Sequence, residues 1–318
     1  MARWTTSDIP AQNGRSVVVT GTGGLGFQDA LALARAGADV TIAGRNPAKG
    51  AAAIEQIRAA VPNAHVQFEE VDLGRLDSVA ACAERLRNSR AKLDVLINNA
   101  AVMTPPQRQT TADGFELQFG TNYLGHFALT AQLLPLLQKG NAPRVINLSS
   151  IAARQGVINF DDLQAERSYQ PMPAYAQSKL ASLLFAFELQ RRSTAAGWGI
   201  TSIAAHPGIS RTDLLTNAPG RQSISGIARR WLWFLFQPAA QGALPALYAA
   251  TSPQAKPGAY YGPDMFSETR GHPTLANVPP QARDAAVAAR LWDVSEQLTG
   301  VRFAPVSNSA EPVSLVEA

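Results

Sequence analysis

Cysteine is almost missing from the sequence: Cys82 is the only one among 318 residues. An internal disulfide is therefore excluded, and so is a metal site built from cysteines alone. Histidine, cysteine and carboxylate residues do not cluster in a pattern typical of a bound metal, so none is expected. The first eight residues contain no apolar stretch of the kind that a secretory signal needs. Together these features predict a protein of a reducing compartment, the cytoplasm.

Strong charge is missing as well. The net charge is +4, and the basic residues are scattered rather than interleaved with aromatic side chains, so we expect no nucleic-acid partner. The segment of residues 229–236 is apolar and aromatic, but Gln237 and Pro238 interrupt it well short of the ~20 residues that a membrane span needs. We predict a lid or wall over an apolar pocket there; an anchor lying on a membrane surface is the alternative.

Short β-branched runs alternate with alanine-rich stretches of helical character over the first 150 residues. This alternation is typical of a parallel sheet covered by helices, and no Pro/Gly/Ser-rich linker divides the chain, so we predict one α/β domain. The predicted strands are residues 17–20, 39–43, 65–69, 93–97, 144–148, 199–204 and 258–261, the last of the sheet. The predicted helices are residues 25–36, one opening at 46–47, 76–87, 114–137 and 175–196. Residues 303–318 are polar and without periodicity, which predicts a disordered tail after a domain of residues 1–302.

A glycine-rich segment lies between the first predicted strand and helix. Gly21, Gly23 and Gly26 match G-x-G-x-x-G, whose glycines let the backbone approach a pyrophosphate while the helix N-terminus offers amide donors. The position after a strand and before a helix is the context that this motif requires. The pattern predicts a dinucleotide site; a tight turn with no ligand is the alternative.

An arginine follows the second predicted strand, where dinucleotide-binding folds that prefer NAD usually carry an acidic residue. Arg45 could pair with a 2′-phosphate through a charge-assisted, bidentate contact. The sequence therefore predicts NADP(H) rather than NAD(H). A solvated surface arginine is the alternative.

Tyr175 and Lys179 stand four residues apart, a spacing that places both side chains on one face of a helix. A free tyrosine has a pKa near ~10, too high for ready proton exchange at neutral pH. An ammonium group one turn away would lower the pKa of Tyr175 and make it a usable acid or base. Four-residue patterns also occur by chance, so this pair needs other support.

That support comes from motifs that follow one another along the chain. They are Asp72-Leu73, Asn98-Asn-Ala-Ala101, Asn122-Tyr-Leu-Gly-His-Phe127, Asn147-Leu-Ser-Ser150 and His206-Pro-Gly208 with Thr212. With the glycine segment and Tyr175/Lys179, they resemble the short-chain dehydrogenase/reductase family from Val17 to about Thr212. The stretch Gly44-Arg45-Asn46, the 25-residue gap from Ser150 to Tyr175 and residues 289–295 resemble its retinol dehydrogenase-like branch.

The resemblance implies a Rossmann-type, doubly wound parallel sheet flanked by helices, with a C-terminal substrate lid at about residues 209–245. It implies that Tyr175 exchanges the proton, Ser150 stabilises the substrate oxygen, Lys179 holds the nicotinamide ribose and Asn122 anchors a relay water. Ser149 is a rival for the catalytic serine, and the spacing to Tyr175 in this branch selects Ser150. The implied cofactor contacts are Gly21, Gly23, Gly24, Leu25, Gly26, Arg45, Asn46, Asp72, Leu73, Asn99, Ala100, Ala101, Tyr175, Lys179, Pro207, Gly208 and Thr212.

Two departures from the family pattern concern the cofactor end. The glycine loop T-G-x-x-x-G-x-G is one residue shorter here, because only Thr22 and Gly23 separate Gly21 from Gly24. Ala101 replaces a glycine beside the adenosine pocket. His126 and His206 lie nearest the predicted site, and we expect both to form structural hydrogen bonds rather than to catalyse.

The substrate end is less specified. Leu214, Leu215, Trp231, Trp233, Phe234 and Phe236 fall in the lid segment, and their apolar character predicts a bulky lipophilic carbonyl or alcohol. Alternatively, these side chains belong to the core or to an oligomer contact. Two other functions stay open: a non-catalytic NADP(H)-sensing protein and a membrane-associated retinoid- or steroid-type dehydrogenase. The family also suggests a homodimer through the long helices after the fourth and fifth strands.

Overall fold

Strands and helices alternate through the computed structural model, which describes residues 3–211 and 236–303. The strands are β1 (Ser16–Thr20), β2 (Asp39–Gly44), β3 (Val66–Glu70), β4 (Val95–Asn98), β5 (Arg144–Leu148), β6 (Thr201–Ala205), β7 (Ser210–Arg211), β8 (Gln237–Pro238), β9 (Tyr260–Met265) and β10 (Arg270–Leu275). The helices are α1 (Gly24–Arg35), α2 (Pro47–Ala60), α3 (Leu76–Ser89), α4 (Leu117–Phe119), α5 (Gly125–Leu137), α6 (Pro171–Ala196), α7 (Ala239–Gly242), α8 (Leu244–Thr251) and α9 (Ala285–Thr299). A π turn (Gly120–Leu124) joins α4 to α5, and 3-10 turns span Thr6–Asp8, Ile151–Gln155 and Pro280–Arg283.

Eight strands form one sheet in the order β10-β9-β6-β5-β4-β1-β2-β3. All neighbours pair in parallel except β9 and β10, which are antiparallel. The chain moves outward from β1 to β3 and then returns to the other side of β1 with β4. Such a reversal opens a crevice at the carboxyl ends of the strands, where this class of sheet binds ligands. The predicted α/β class and doubly wound sheet are confirmed.

Apolar side chains cover both faces of the sheet. One layer contains α3, α5, α6 and α9, and its largest fully buried side chains are Trp292, Tyr123, Phe119 and Phe127. The other layer contains α1, α2 and α8 packed on the valine and isoleucine residues of β1, β2 and β4. Strands covered on both faces favour a continuous apolar run, and β1 reads Ser-Val-Val-Val-Thr, with three consecutive valines and all five residues buried.

The end of the sheet differs from the prediction. Residues 258–261 were expected to form the last strand, but β9 extends to Met265 and β10 follows it as an antiparallel edge strand. Strand β10 is hard to recognise from the sequence because it contains Gly271 and Pro273, and glycine and proline are uncommon in strands. Proline is tolerated on an edge strand, where one side of the backbone needs no partner.

The predicted helix over residues 114–137 is also different. It begins only at Leu117, and the π turn at Gly120–Leu124 interrupts it. The helix expected from Tyr175 starts earlier, at Pro171, because proline is favoured in the first turn of a helix. This earlier start places Tyr175 within the second turn of α6.

The C-terminal region packs more closely than expected. Phe303, placed at the start of a disordered tail, is buried, and its ring centroid lies 4.4 Å from that of Trp292 and 5.1 Å from that of Phe127. Helix α9 packs against α6. The expectations for Thr212, for most of the lid and for residues 304–318 lie outside the described residues.

None of the helices in the described ranges is long and apolar enough to cross a membrane.

Candidate active site

A cavity of about 1010 Å³ opens at the carboxyl ends of β4, β5 and β6. It brings together three of the four predicted catalytic side chains, those of Ser150, Tyr175 and Lys179. The predicted cofactor contacts that also line it are Leu25, Asn99, Ala101, Pro207 and Gly208. Residues far apart in the sequence therefore meet at the crevice that the sheet topology creates.

Helix α6 presents Tyr175 and Lys179 to this cavity. Both side chains are almost fully buried, with exposed fractions of 6% and 3%. The Lys179 Nζ donates a hydrogen bond of 3.0 Å to the Leu148 carbonyl oxygen at the end of β5 and lies 6.0 Å from the centre of the Tyr175 ring. Helix α6 and strand β5 thus fix the position of the Lys179 ammonium group relative to the Tyr175 ring.

Burial sets the pKa values of this pair. Removal from water raises the pKa of Tyr175 to about 12, although a hydrogen bond from the Ser150 hydroxyl opposes the rise. The same loss of hydration lowers the pKa of Lys179 to about 8. The expectation that Lys179 lowers the pKa of Tyr175 is therefore wrong for this structure, because desolvation is the larger effect. Tyr175 is a neutral phenol that can donate a proton.

The two serines at the end of β5 have different surroundings. The Ser149 hydroxyl donates to the Lys179 carbonyl oxygen at 2.8 Å and is buried. Ser150 is only partly buried; its Oγ accepts from the Ala152 amide at 3.2 Å and is hydrogen-bonded to Tyr175. This geometry favours Ser150 as the hydroxyl that shares a substrate atom with Tyr175.

Asn122 lies within the π turn and does not line the cavity. Its side chain accepts from the Val102 amide at 2.8 Å and donates to the Val102 carbonyl at 2.9 Å and to the Ser178 hydroxyl at 3.0 Å. Asn122 therefore joins the segment after β4 to α6. In a π turn the backbone bond pattern shifts by one residue, and such turns often occur at functional sites.

Because of this shift, the backbone carbonyl oxygen of Asn122 is available to accept a hydrogen bond from a side chain, the imidazole of His126. His126 Nδ1 donates to that oxygen at 2.9 Å, so Nε2 is left to accept from the Thr20 hydroxyl, also at 2.9 Å. Burial lowers the pKa of His126 to about 4, and the ring is neutral at physiological pH. The prediction of a structural hydrogen-bonding role for His126 is confirmed.

Thr20 and Asn99 shape the glycine segment. The Thr20 hydroxyl accepts from the amides of Asn99 and Ala100 at 2.9 and 3.0 Å, and Asn99 Nδ2 donates to the Thr20 carbonyl. A Cβ on Gly26 would lie 2.6 Å from both the Gly21 carbonyl and Asn99 Nδ2. The close approach of these backbones requires glycine at that position.

The shortened loop is accommodated by two left-handed glycines, Gly21 at φ 103° and Gly24 at φ 54°. Helix α1 begins at Gly24, and no side chain among the described residues caps its first amides. Gly23 precedes it in an extended conformation. The first-turn amides of α1 are therefore left for an anionic group, which is the feature that a pyrophosphate site requires.

The remaining predicted cofactor residues lie at the carboxyl ends of β2 and β3. Arg45 is exposed and forms no hydrogen bond or ion pair within the described ranges. Asn46 caps α2, accepting from the Lys49 amide at 3.0 Å. Asp72 accepts from the Gly74 amide at 3.0 Å, and Leu73 is buried. The structure thus keeps these four side chains outside the cavity that contains Tyr175.

The outer part of the cavity is apolar. Met103, Pro106, Ile151 and Met172 line it, and Met172 is 48% exposed. Gln118 was not recognised from the sequence, yet it fixes this wall: it accepts from the Thr104 amide at 2.7 Å and donates to the Pro171 carbonyl at 3.1 Å. Only its place one helical turn before Asn122 could have indicated a role.

In the described part of the chain, no group of three His, Cys, Asp or Glu side chains is placed to hold a metal ion.

Comparisons with known proteins show which family the chain resembles. The short chain dehydrogenase family model matches residues 15–222. Retinol dehydrogenase 12 of Mus musculus is 41% identical over 297 residues, covering 91% of this chain and 88% of that protein. A solved structure of an uncharacterized protein from Mycobacterium paratuberculosis shares 40% identity with a TM-score of 0.79, covering 96% of this chain and all of the other. The Pseudomonas aeruginosa RhlG/NADP active-site complex shares 25% identity with a TM-score of 0.61, covering 78% and 94%.

Proposed function

The chain belongs to the short chain dehydrogenase family, and we propose that it is an NADP(H)-dependent oxidoreductase that interconverts a carbonyl and an alcohol on a bulky lipophilic substrate. The observation that carries this proposal is the convergence of Ser150, Tyr175 and Lys179 on one cavity whose outer wall is apolar. The uncapped first turn of α1 and the close-packed glycine backbones fit a dinucleotide pyrophosphate.

In the reductive direction Tyr175 donates its phenolic proton to the carbonyl oxygen, and Ser150 donates a hydrogen bond to the same oxygen as negative charge develops. The bound dinucleotide supplies the hydride. The high pKa of Tyr175 keeps its proton in place until the substrate oxygen becomes basic. In the oxidative direction Tyr175 must first lose that proton, and the hydrogen bond from the Ser150 hydroxyl favours its loss.

Asn122 acts in this scheme by position. Its bonds to Val102 and Ser178 hold the segment after β4 against the helix that carries Tyr175. A relay of protons from Lys179 through a water held at Asn122 is part of the proposal. Replacing Asn122 with alanine would disturb both functions, so that variant does not separate them.

The choice of NADP(H) rests on Arg45 at the end of β2. Its guanidinium is exposed and has no acidic partner in the described ranges, so it is available to pair with a 2′-phosphate. The related RhlG protein is named for its complex with NADP. Wild type should show a higher kcat/KM with NADPH than with NADH, and Arg45→Ala should remove most of that difference. A clear preference of the wild type for NADH would contradict the choice.

The lipophilic substrate is supported by the wall of Met103, Pro106, Ile151 and Met172. The name of the mouse relative states that it acts on retinol, which is a bulky apolar alcohol. An NADPH-oxidation screen with aldehydes and ketones of increasing apolar size tests the proposal. We expect kcat/KM to rise with size until the cavity is filled.

A second candidate is an NADP(H)-sensing protein without turnover, and the shortened glycine loop favours it. Binding of NADPH by fluorescence with no oxidation of any carbonyl in the screen would support this candidate. Oxidation that is lost in Tyr175→Phe would instead establish catalysis by the proposed residues.

A further inference from the structure

The turn between β9 and β10 is unusual in its backbone. Phe266, Ser267 and Glu268 have φ angles of 49°, 54° and 68°, in the left-handed region that residues other than glycine rarely adopt. Such conformations persist only where surrounding contacts hold them. Phe266 is exposed, whereas the Glu268 carboxylate points inward and its side chain is only 8% exposed.

The Glu268 carboxylate forms an ion pair with Arg154 and accepts hydrogen bonds from His206 and Asn277, three residues on different segments. Its Oε2 contacts Arg154 Nη2 at 2.6 Å and His206 Nε2 at 2.9 Å, and its Oε1 accepts from the amide and the side chain of Asn277. These donors hold the pKa of Glu268 at about 2 despite its burial. Glu268 is therefore ionised over the whole range in which the protein would work.

Two of these contacts lead to two different segments that line the cavity. Arg154 belongs to the 3-10 turn Ile151–Gln155, which starts directly after Ser150. His206 directly precedes Pro207 and Gly208, which line the same cavity. One carboxylate thus holds both the segment of the catalytic serine and the loop that the family resemblance places beside the nicotinamide.

The contact with that loop continues beyond the carboxylate. Because His206 Nε2 donates to Glu268, Nδ1 accepts from the Gly208 amide, at 3.3 Å. The Thr269 carbonyl, next to Glu268, accepts from the Ile209 amide at 2.8 Å. Gly208 is left-handed, and a Cβ there would lie 2.3 Å from that carbonyl oxygen. The turn between β9 and β10 therefore contacts the loop at His206, Gly208 and Ile209.

We propose that Glu268 is a positioning residue that couples the Ser150 segment, through Arg154, to the nicotinamide-side loop, through His206. The inference rests on the proposed function, because that function supplies the nicotinamide that the loop of residues 206–208 would contact. If the ion pairs of Glu268 only stabilised the fold, losing them would weaken the binding of both ends of the cofactor equally. Glu268 would support only the nicotinamide end, because the family resemblance places the adenosine end at the carboxyl ends of β2 and β3, beside Arg45 and Asp72.

Binding measurements on Glu268→Gln separate these cases. The probes are NADP⁺ and adenosine 2′-phosphate 5′-diphosphoribose, the part of NADP⁺ that lacks nicotinamide. We expect Kd for NADP⁺ to rise about tenfold, as for the loss of one charge-assisted contact, and Kd for the fragment to stay unchanged. Equal weakening of both ligands, or no change in either, would overturn the proposal.

Glu188 offers a matched control. It is 2% exposed and accepts from Arg191 and Arg192 on α6, so it is also a buried carboxylate paired with a basic side chain, but it does not line the cavity. Glu188→Gln should lower thermal stability by an amount similar to Glu268→Gln and leave both Kd values unchanged. If Glu188→Gln shows the same selective loss of NADP⁺ binding, coupling through Glu268 is refuted.

The second arm of the coupling is tested at Arg154. Arg154→Met should lower kcat and add little when combined with Glu268→Gln, because both variants break the same link. Arg154→Lys should recover part of kcat, since it keeps a cation near Glu268. If the losses of kcat in Arg154→Met and Glu268→Gln simply add in the double variant, the proposed coupling is overturned. A wild type that binds the fragment but not NADP⁺, or neither ligand, would instead refute the proposed function itself.

Discussion

The inner and outer halves of the cavity are built in opposite ways. In the inner half, Tyr175 and Lys179 are buried and each polar group has a partner on another segment of the fold. In the outer half, Met172 is half exposed and its wall is formed by loops and the first turn of α6. Rigid, partnered groups suit proton transfer, which needs fixed geometry. Exposed apolar side chains suit selection among substrates by size.

This contrast separates chemistry from specificity. Changes in the inner half should reduce turnover for every substrate, whereas changes in the outer half should alter the ranking of substrates.

The largest effect is expected for Tyr175→Phe, which removes only the phenolic oxygen. The kcat should fall by roughly 10²–10⁴-fold because the proton donor is lost, while NADPH binding should be retained. Steady-state kinetics and fluorescence titration of NADPH measure the two quantities. Tyr248→Phe is the control, because Tyr248 packs against Trp4 and Tyr261 away from the cavity. A kcat within threefold of wild type in Tyr175→Phe, well short of that range, would remove Tyr175 from the mechanism.

The next effect concerns stability and pH at Lys179. Burial lowers its pKa in the folded protein to about 8, whereas the unfolded chain keeps the ordinary value of 10.5. Between these values the unfolded state binds more protons, so this residue makes the folded state more stable as pH rises from 8 towards 10. Relative to Lys179→Met, the unfolding free energy of wild type should increase by about 2 kcal/mol over that interval.

Chemical denaturation at a series of pH values measures this difference. A difference between wild type and Lys179→Met that is flat from pH 8 to 10 would mean that Lys179 stays charged in the folded protein. The inner half of the cavity would then admit more water than the low exposure of Lys179 indicates.

Much of the inner half could be predicted from the sequence, because helical spacing alone places Tyr175 beside Lys179 and the strand pattern places Ser150 at a strand end. Their pKa values could not, since desolvation depends on the segments that close over them. The π turn at Asn122 was equally hidden, as its sequence reads as ordinary helix. Glu268 lies far along the chain from Arg154 and His206, and no local pattern links them.

A smaller effect is expected at His126, which links the Asn122 carbonyl to the Thr20 hydroxyl. His126→Leu keeps the volume but leaves both groups without this partner, so the Thr20–Asn99 contact behind the glycine segment should loosen. We expect KM for the dinucleotide to rise about tenfold with a smaller change in kcat. His65→Leu, at an exposed histidine before β3, should leave KM unchanged. A fall in kcat without a change in KM would show that His126 serves Asn122 alone.

The smallest effect is expected in the outer half, at Met172. Its side chain lines the cavity mouth and is half exposed, so Met172→Ala removes only part of an apolar contact. The kcat/KM for the largest apolar carbonyl should fall about three- to tenfold, and the value for the smallest should not change. Met265→Ala is the matched control, because Met265 is also exposed but does not line the cavity. Equal losses for large and small carbonyls in Met172→Ala would mean that the outer wall also holds the catalytic groups in place, and the division between the two halves would fail.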